Sequence, residues 1–304
     1  MSPKKRLTIL ITGCSAGGMG AALATAFHRA GHHVYATARN PSKLSTLTAH
    51  GIKTLTLDIT SASSIASAVF SVASSLPDGK GLDMLVNNAA GSYTMPIADV
   101  SLDAARALFD QNVWSHIAVT QAFLPLLLES TRNSAGGHPV QEALIVNHTS
   151  VGSVTALPFQ GIYNASKAAL AMLSETMRLE LAPFGIRVID LKTAGVRTNI
   201  ISNNNVNARA DALPKNSIYQ PAREVVEKAM SQEGLVEKGI PAEQWAEQVA
   251  ALLTRDNPPA VIWKGESALL ARIATLLPSG LFEGTIKKMT RLDVVEDLIK
   301  QSRG

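Results

Sequence analysis

The feature that most constrains the fold is an alternation of short apolar, β-branched runs with segments of helical length. The runs have no distinct polar face, which is typical of parallel strands covered by helices on both sides. They are LTILIT (7–12), HVYATA (33–38), KTLTLD (53–58), DMLVN (83–87), ALIVNH (143–148), RVIDLK (187–192) and AVIWKG (260–265). Repeated strand, crossover helix and strand predict an α/β fold with a doubly wound, Rossmann-type parallel sheet.

The alternation of predicted strands and helices divides the chain into a sheet domain and an extension. Residues 1–265 are predicted to form the sheet domain, with a weakly periodic segment at about 193–240 that covers a ligand site. Residues 266–304 are predicted to form a C-terminal amphipathic helical extension. Within it, residues 267–292 are apolar and basic, with a break at Pro278-Ser279-Gly280. This segment is either a packed helix pair or an interfacial membrane anchor.

Composition excludes several classes of protein. The 304 residues carry 28 basic and 24 acidic side chains, a balance that argues against a nucleic-acid partner. The single cysteine, Cys14, excludes an intrachain disulfide, and no metal site is predicted. The apolar run Leu7–Ile11 is too short for a signal-peptide core. We therefore expect a cytoplasmic protein, with the extension as the segment that would hold it at the endoplasmic reticulum or on lipid droplets.

A glycine-rich stretch, TGCSAGGMG (12–20), follows the first predicted strand and opens a helix. Glycines permit a sharp turn, and the amides of a helix N-terminus favour a diphosphate, so this loop is a candidate dinucleotide site. The same residues also match G-x-S-x-G, in which Ser15 would be a hydrolase nucleophile. That alternative is weak, because an acid and then a late histidine should follow the serine, whereas all seven histidines precede residue 149.

Polar residues at the ends of the next strands suggest how the cofactor is held. Arg39 follows the second strand, where a basic side chain would meet the 2′-phosphate of NADPH; the alternative is a solvated arginine. Asp58 ends the third strand and faces either the adenine or its own helix N-terminus. Asn87 and Asn88 end the fourth strand, where their amides would hold backbone or cofactor groups.

Tyr163 and Lys167 lie four residues apart in GIYNASKAAL (161–170), which is predicted to be helical. Residues at i and i+4 share one face of a helix, so the ammonium is expected beside the phenol. A nearby cation favours the phenolate and is predicted to lower the pKa of Tyr163. The alternative is an ordinary surface pair.

Together these motifs resemble the short-chain dehydrogenase/reductase family over about residues 7–265. The resemblance is carried by Thr12-Gly13 through Gly18-Met19-Gly20, Asn87-Asn88-Ala89-Ala90, Asn112, Ser150 placed 13 residues before Tyr163, Tyr163 with Lys167, and Ala194 through Thr198. The chain departs from the family pattern by one extra residue in the glycine loop, by Ala90 in place of a glycine and by a missing proline before Gly195. Within the family, it is most similar to fungal reductases related to acyldihydroxyacetone phosphate reductase. Fungal ketoreductases of secondary metabolism share much of this pattern.

The resemblance implies a set of site residues. The implied catalytic residues are Ser150, Tyr163, Lys167 and Asn112. The implied cofactor-binding residues are Ile11, Gly13, Ser15, Gly18, Met19, Gly20, Arg39, Asp58, Asn87, Tyr163, Lys167, Val196 and Thr198. Ser150 and Tyr163 would bind a carbonyl oxygen, Tyr163 would donate the proton as hydride leaves NADPH, Lys167 would hold the ribose, and Asn112 would support a water. Homo-oligomers are also implied.

The substrate is expected to be a small lipophilic carbonyl compound. The residues predicted to line the pocket are mostly apolar, namely Tyr93, Val151, Thr155, Ala156, Leu157 and Phe159. Such a pocket leaves the hydroxyls of a sugar unpaired, so a lipophilic ketone or alcohol is favoured. The prediction is thus an NADP(H)-dependent reductase of such a ketone.

Overall fold

A seven-stranded parallel sheet forms the centre of the computed structural model, which describes residues 6–77, 80–132, 142–198, 212–232, 239–278 and 280–303. Its strands are β1 (Thr8–Ile11), β2 (His33–Ala38), β3 (Lys53–Thr56), β4 (Met84–Asn87), β5 (Ala143–Ser150), β6 (Ile186–Thr193) and β9 (Val261–Lys264). The strand order is β3-β2-β1-β4-β5-β6-β9. This is the doubly wound arrangement, and all seven predicted runs are strands. A separate short pair joins β7 (Val196–Arg197) to β8 (Ile240–Pro241).

Helices flank both faces of the sheet and continue beyond its last strand. They are α1 (Met19–Arg29), α2 (Ser45–Ala49), α3 (Ala62–Ser75), α4 (Leu102–Phe109), α5 (Ser115–Arg132), α6 (Gly161–Leu181), α7 (Arg223–Ser231), α8 (Ala242–Leu253), α9 (Ala268–Ala274), α10 (Glu283–Thr290) and α11 (Leu292–Gln301). No helix in the described ranges is long and apolar enough to cross a bilayer.

The sheet separates two apolar cores, because successive side chains of a strand point to opposite faces. In β1, Ile9 and Ile11 pack in the core that contains α1 and α8, whereas Leu10 packs in the core that contains α3 and α5. All three side chains are fully buried. This explains why the strand segments have no polar face.

A third apolar cluster joins the C-terminal helix to the loop between β5 and α6. Val295 of α11 packs with Val226 and Met230 of α7, and the same cluster includes Phe159 and Met95. The expected break in the extension is present, since α9 ends at Ala274 and α10 begins at Glu283. Much of the predicted lid, residues 199–211 and 233–238, lies outside the described residues.

Candidate active site

The carboxyl end of the sheet brings together the serine, tyrosine and lysine that the motif spacing predicts. Ser150 is the last residue of β5, and Tyr163 lies in the first turn of α6. The hydroxyl of Ser150 faces the phenol of Tyr163 and acts to lower its pKa. The Oγ of Ser150 accepts a hydrogen bond of 3.0 Å from the amide of Gly152, which leaves its hydroxyl proton for another acceptor. Two hydroxyl groups therefore converge on one point.

Lys167 lies one turn after Tyr163 and is buried. Its Nζ is 6.0 Å from the centroid of the Tyr163 ring and donates a hydrogen bond of 2.8 Å to the carbonyl oxygen of His148. Burial lowers the pKa of Lys167 to about 8, while the carboxylate of Asp190 acts in the opposite direction. The ammonium of Lys167 thus loses its proton close to neutral pH.

The pKa of Tyr163 differs from the prediction. Burial of the phenol raises it, and the hydrogen bond from Ser150 opposes that rise. Desolvation penalises the phenolate, and the ammonium of Lys167 is bonded to a backbone oxygen rather than to the phenol oxygen. Tyr163 is consequently a neutral proton donor at physiological pH, which is the state required to protonate a reduced carbonyl oxygen.

Asn112 occupies a π-helical turn, Asp110–Trp114, between α4 and α5. Its Oδ1 accepts a hydrogen bond from the amide of Gly91, and its Nδ2 donates to Gly91 O and to the Oγ of Ser166 at 3.0 Å. The side chain therefore fixes the loop after β4 to the catalytic helix α6. These contacts assign Asn112 a positioning role, and its predicted support of a water remains a prediction.

The glycine loop packs tightly against the end of β4. Gly13 has a left-handed φ of 74°, and a Cβ atom there would lie 2.7 Å from the Cα of Ala89. A Cβ atom on Gly20 would lie 2.5 Å from the carbonyl oxygen of Gly13. Gly18 is the N-cap of α1 and provides no side-chain cap. The first-turn amides of α1 are therefore available to a diphosphate, so the loop fits a dinucleotide.

Asn87 and Asn88 have different roles, which the sequence did not distinguish. The Nδ2 of Asn87 donates to the Oγ1 of Thr120 and to the Oδ1 of Asn147, both at 3.0 Å, inside the protein. Its side chain is 1% exposed, so the predicted cofactor contact of Asn87 is not provided by that side chain. Asn88 instead donates to the carbonyl oxygens of Thr12 and Gly13 and so holds the glycine loop.

His148 is a site residue that sequence reasoning missed. Because the Nδ2 of Asn88 is used by the glycine loop, its Oδ1 faces the Nδ1 of His148 at 2.9 Å, and Nδ1 carries the proton. The Nε2 atom then accepts a hydrogen bond of 2.7 Å from the hydroxyl of Thr193. The ring also stacks on Trp245, with the centroids 5.2 Å apart. His148 thus connects the glycine loop, through Asn88, to β5 and to the end of β6.

Two buried histidines near the site are neutral. Burial, reinforced by the positive charge of Lys167, lowers the pKa values of His116 and His148 to about 3. The Nε2 of His116 lies 2.9 Å from the carbonyl oxygen of Ala89 and donates to it. Neither histidine is bonded to Ser15, and no hydrogen bond in the described part of the chain joins any histidine to that serine. The geometry therefore gives the hydrolase alternative no support.

Arg39 and Asp58 lie near each other, just after the carboxyl ends of β2 and β3. Arg39 is exposed directly after β2, and its charge contributes to lowering the pKa of Asp58. The larger causes of that lowering are the hydrogen bonds that the Oδ1 of Asp58 accepts from the amide and hydroxyl of Thr60, at 3.0 and 2.7 Å. Asp58 therefore orders the turn before α3, whose N-cap is Ser61.

Four other predicted cofactor residues occupy different surroundings. The side chain of Ile11 is fully buried in the core, so only its backbone could contact a ligand. Met19 and Val196 pack partly against that core. Thr198 borders an open cavity of about 900 Å³ between α1, α2 and α8, which also contacts Gly18. Ser150, Tyr163 and Lys167 do not line this cavity, so it is not the reaction site.

The loop between Ser150 and Tyr163 contains one residue with an unfavourable backbone conformation, and it is held by packing contacts and a buried ion pair. Phe159 has a φ of 66°, which a bulky residue rarely adopts. Its carbonyl oxygen accepts a hydrogen bond of 2.7 Å from Met95, and its ring meets Tyr219 edge to face at 6.2 Å. Lys192 lies 2.7 Å from Asp190 and donates to the Oγ of Ser153. Tertiary contacts thus determine the loop geometry.

Comparisons with known proteins identify the family of the chain. The profile of the short-chain dehydrogenase family matches residues 7–209. A short-chain dehydrogenase/reductase of Pestalotiopsis microspora is 50% identical over 300 residues, covering 99% of each chain. The NADPH-dependent 1-acyldihydroxyacetone phosphate reductase of Schizosaccharomyces pombe is 33% identical and covers 93% of this chain and 94% of its own. The crystal structure of a short-chain dehydrogenase from Streptomyces avermitilis has a TM-score of 0.72 at 26% identity, covering 96% and 98%.

A doubly wound sheet with a glycine loop at β1 and a Ser–Tyr–Lys group at the end of β5 defines an oxidoreductase that uses a nicotinamide dinucleotide. The chain belongs to the short-chain dehydrogenase/reductase family.

Proposed function

We propose that the protein is an NADPH-dependent carbonyl reductase that acts on a lipophilic ketone, similar to an acyldihydroxyacetone phosphate reductase. The observation that carries the proposal is the hydroxyl of Ser150 facing the phenol of Tyr163, with the buried cation of Lys167 6.0 Å from the tyrosine ring. Two hydroxyl donors that converge on one point bind a carbonyl oxygen and stabilise the negative charge that develops on it.

The chain's own residues account for the proton transfer. Ser150 orients the carbonyl oxygen, and the neutral phenol of Tyr163 donates its proton to that oxygen. The ammonium of Lys167 favours the resulting phenolate through its charge. NADPH, when bound, supplies the hydride, and the glycine loop with Lys167 would hold it. General acid catalysis of this kind contributes roughly 10²- to 10⁴-fold in rate.

Arg39 supports NADPH rather than NADH as the cofactor. Its position after β2 is where an adenosine ribose lies in this fold, and a guanidinium there would pair with a 2′-phosphate. The reductase of Schizosaccharomyces pombe is itself named as NADPH-dependent. Replacement of Arg39 by Asp is expected to reduce the preference for NADPH over NADH roughly ten- to hundredfold, the effect of one charge-assisted hydrogen bond. The exposed Arg255→Asp is the matched control and should leave the preference unchanged.

Apolar surroundings support a lipophilic substrate. The apolar side chains of Val151 and Leu157 are partly exposed in the loop that joins the two hydroxyl-bearing residues. A polyhydroxylated substrate would leave hydroxyls unpaired against such side chains. Oxidation of NADPH should therefore be faster with long-chain or aromatic ketones than with small sugars. A preference for acyldihydroxyacetone phosphate favours lipid metabolism, whereas a preference for polycyclic aromatic ketones favours the alternative of a fungal secondary-metabolite ketoreductase.

Ketone-dependent oxidation of NADPH, followed by absorbance, tests the reaction class. Replacement of Tyr163 by Phe is expected to reduce turnover at least about 100-fold, because the proton donor is lost. Tyr35→Phe removes a phenol hydroxyl bonded to Ser75 far from the carboxyl edge and serves as the control. Retention of more than roughly a tenth of wild-type turnover by Tyr163→Phe would contradict the assignment.

A further inference from the structure

The segment after the last sheet strand exposes an unusual density of large apolar side chains. Of the eighteen exposed large hydrophobic residues in the described part of the chain, seven lie within residues 269–282. They are Leu269, Leu270, Ile273, Leu276, Leu277, Leu281 and Phe282. We call this set the apolar face. Single exposed apolar residues are ordinary, but a contiguous group indicates an interaction surface.

The apolar face borders the loop between β5 and α6. Helix α9 contacts the turn Val151–Ser153, which directly follows Ser150. In α9, Ala268 is buried, whereas Leu270 is 67% exposed. Val154, at the end of that turn, is also exposed. The part of the apolar face on α9 therefore lies beside the turn that follows Ser150.

The charges around the apolar face are mostly positive. Lys287 is neutralised by Glu283 at 3.0 Å and Glu296 at 2.7 Å. Arg272, Lys288 and Arg291 are exposed, and among the described residues none of the three forms an ion pair. The surface therefore combines aliphatic side chains with cations at its margin. This is the composition of segments that lie in the interface of an anionic membrane.

We propose that the apolar face docks the protein on the surface of an anionic phospholipid bilayer, with the rim of the catalytic site toward the lipid. Leucine and isoleucine dominate the face, whereas the centres of protein interfaces are enriched in Trp, Tyr and Arg. The excess of positive charge matches acidic headgroups and disfavours a second copy of the same surface. Binding requires no turnover, so the proposal does not depend on the identity of the substrate.

Flotation of the full-length protein with vesicles tests the docking. The vesicles contain phosphatidylcholine alone or with about one third phosphatidylserine. We expect the wild type to float with the anionic vesicles and to remain at the bottom with the neutral ones, and salt should weaken the binding. The Leu270→Glu/Leu276→Glu variant should float roughly tenfold less. The Arg272→Glu/Lys288→Glu variant should also float less.

Two controls make the test decisive. Phe70→Glu changes an exposed aromatic side chain on α3 and should float as the wild type does. Tyr163→Phe should also float, which separates docking from catalysis. The proposal is wrong if the wild type does not float, or if Leu270→Glu/Leu276→Glu floats equally well. It is also wrong if that variant dissociates an oligomer in sedimentation without altering flotation, since a second copy would then be the occupant.

Discussion

The Nζ of Lys167 donates a hydrogen bond of 2.8 Å to the carbonyl oxygen of His148. This bond ties helix α6 to strand β5 two residues before Ser150. The cation is buried, and its pKa is lowered to about 8 by that burial. A buried cation contributes little to stability, so its position at the site is explained by function.

Replacing Lys167 by Met should separate activity from stability. We expect kcat/KM for ketone reduction to fall about 100-fold or more, while the free energy of unfolding at pH 7 does not decrease, because methionine fills the space without a buried charge. In the wild type, kcat/KM should fall as the pH rises through about 8, where Lys167 loses its charge, and the variant should lack this inflection. Kinetics and urea unfolding measure both effects, with the exposed Lys288→Met as the control. Activity within about threefold of the wild type would contradict the assigned role.

Replacing His148 by Leu should weaken cofactor binding more than turnover. The variant loses the donor to Asn88, whose amide holds the carbonyl oxygens of Thr12 and Gly13. Leaving these buried groups unpaired costs about 1–3 kcal/mol, so KM for NADPH should rise roughly 5- to 100-fold, with a smaller change in kcat. His148→Gln keeps a donor and should recover part of the loss. Equal KM values for NADPH in the wild type and His148→Leu would show that the hydrogen bond between His148 and Asn88 is not needed for cofactor binding.

The two neutral histidines should make the protein less stable in acid. Their pKa values are about 3 in the folded protein, against an ordinary value of 6.5 for a solvated histidine, so the unfolded chain binds more protons between those values. Stability must therefore fall as the pH decreases from 6.5 toward 3, by up to about 1.4 kcal/mol per pH unit for each histidine. His116→Gln should remove one such contribution from the slope measured by urea unfolding between about pH 4 and 7. An unchanged slope would show that His116 has the same pKa in the folded and the unfolded protein.

Two glycine substitutions should have opposite effects. A Cβ atom at Gly20 would lie 2.5 Å from the Nδ2 of Asn88 and from the carbonyl oxygen of Gly13, so Gly20→Ala should displace the loop and cost about 1–3 kcal/mol. Binding of NADPH, followed by fluorescence, should weaken as well. Gly284 lies in α10, where a Cβ atom would meet no other atom within 4 Å, and Gly284→Ala should stabilise the helix by about 0.5–1 kcal/mol. Undisturbed cofactor binding by Gly20→Ala would contradict the close packing of the loop.

The sheet could be predicted because burial on both faces leaves continuous apolar runs in the sequence. The spacing of Ser150, Tyr163 and Lys167 likewise identified groups that the structure brings together. The contacts of His148 could not be predicted, since they join residues 45 and 60 positions away in the chain. Asn87 and Asn88 are adjacent residues of the same kind, so the sequence could not distinguish their roles. Only the directions of their side chains in the structure show that Asn88 contacts the glycine loop.

The direction in which the pKa of Tyr163 shifts could not be predicted from the sequence. Its four-residue spacing from Lys167 indicates proximity, but not the degree of desolvation. Burial raises the pKa, and the lysine is engaged by a backbone oxygen of β5. How far the phenol is buried depends on how all the elements at this edge of the sheet pack together, and the spacing of two residues does not contain that information.

The left-handed backbone of Phe159 links two distant parts of the chain energetically. The conformation is unfavourable by itself, and the cluster that contains Val295 and Met230 offsets it. Changes in the final helix can therefore alter the shape of the loop before Tyr163 while Ser150 and Lys167 stay in place. Substrate range in such enzymes can thus diverge through residues that never contact the reacting atoms.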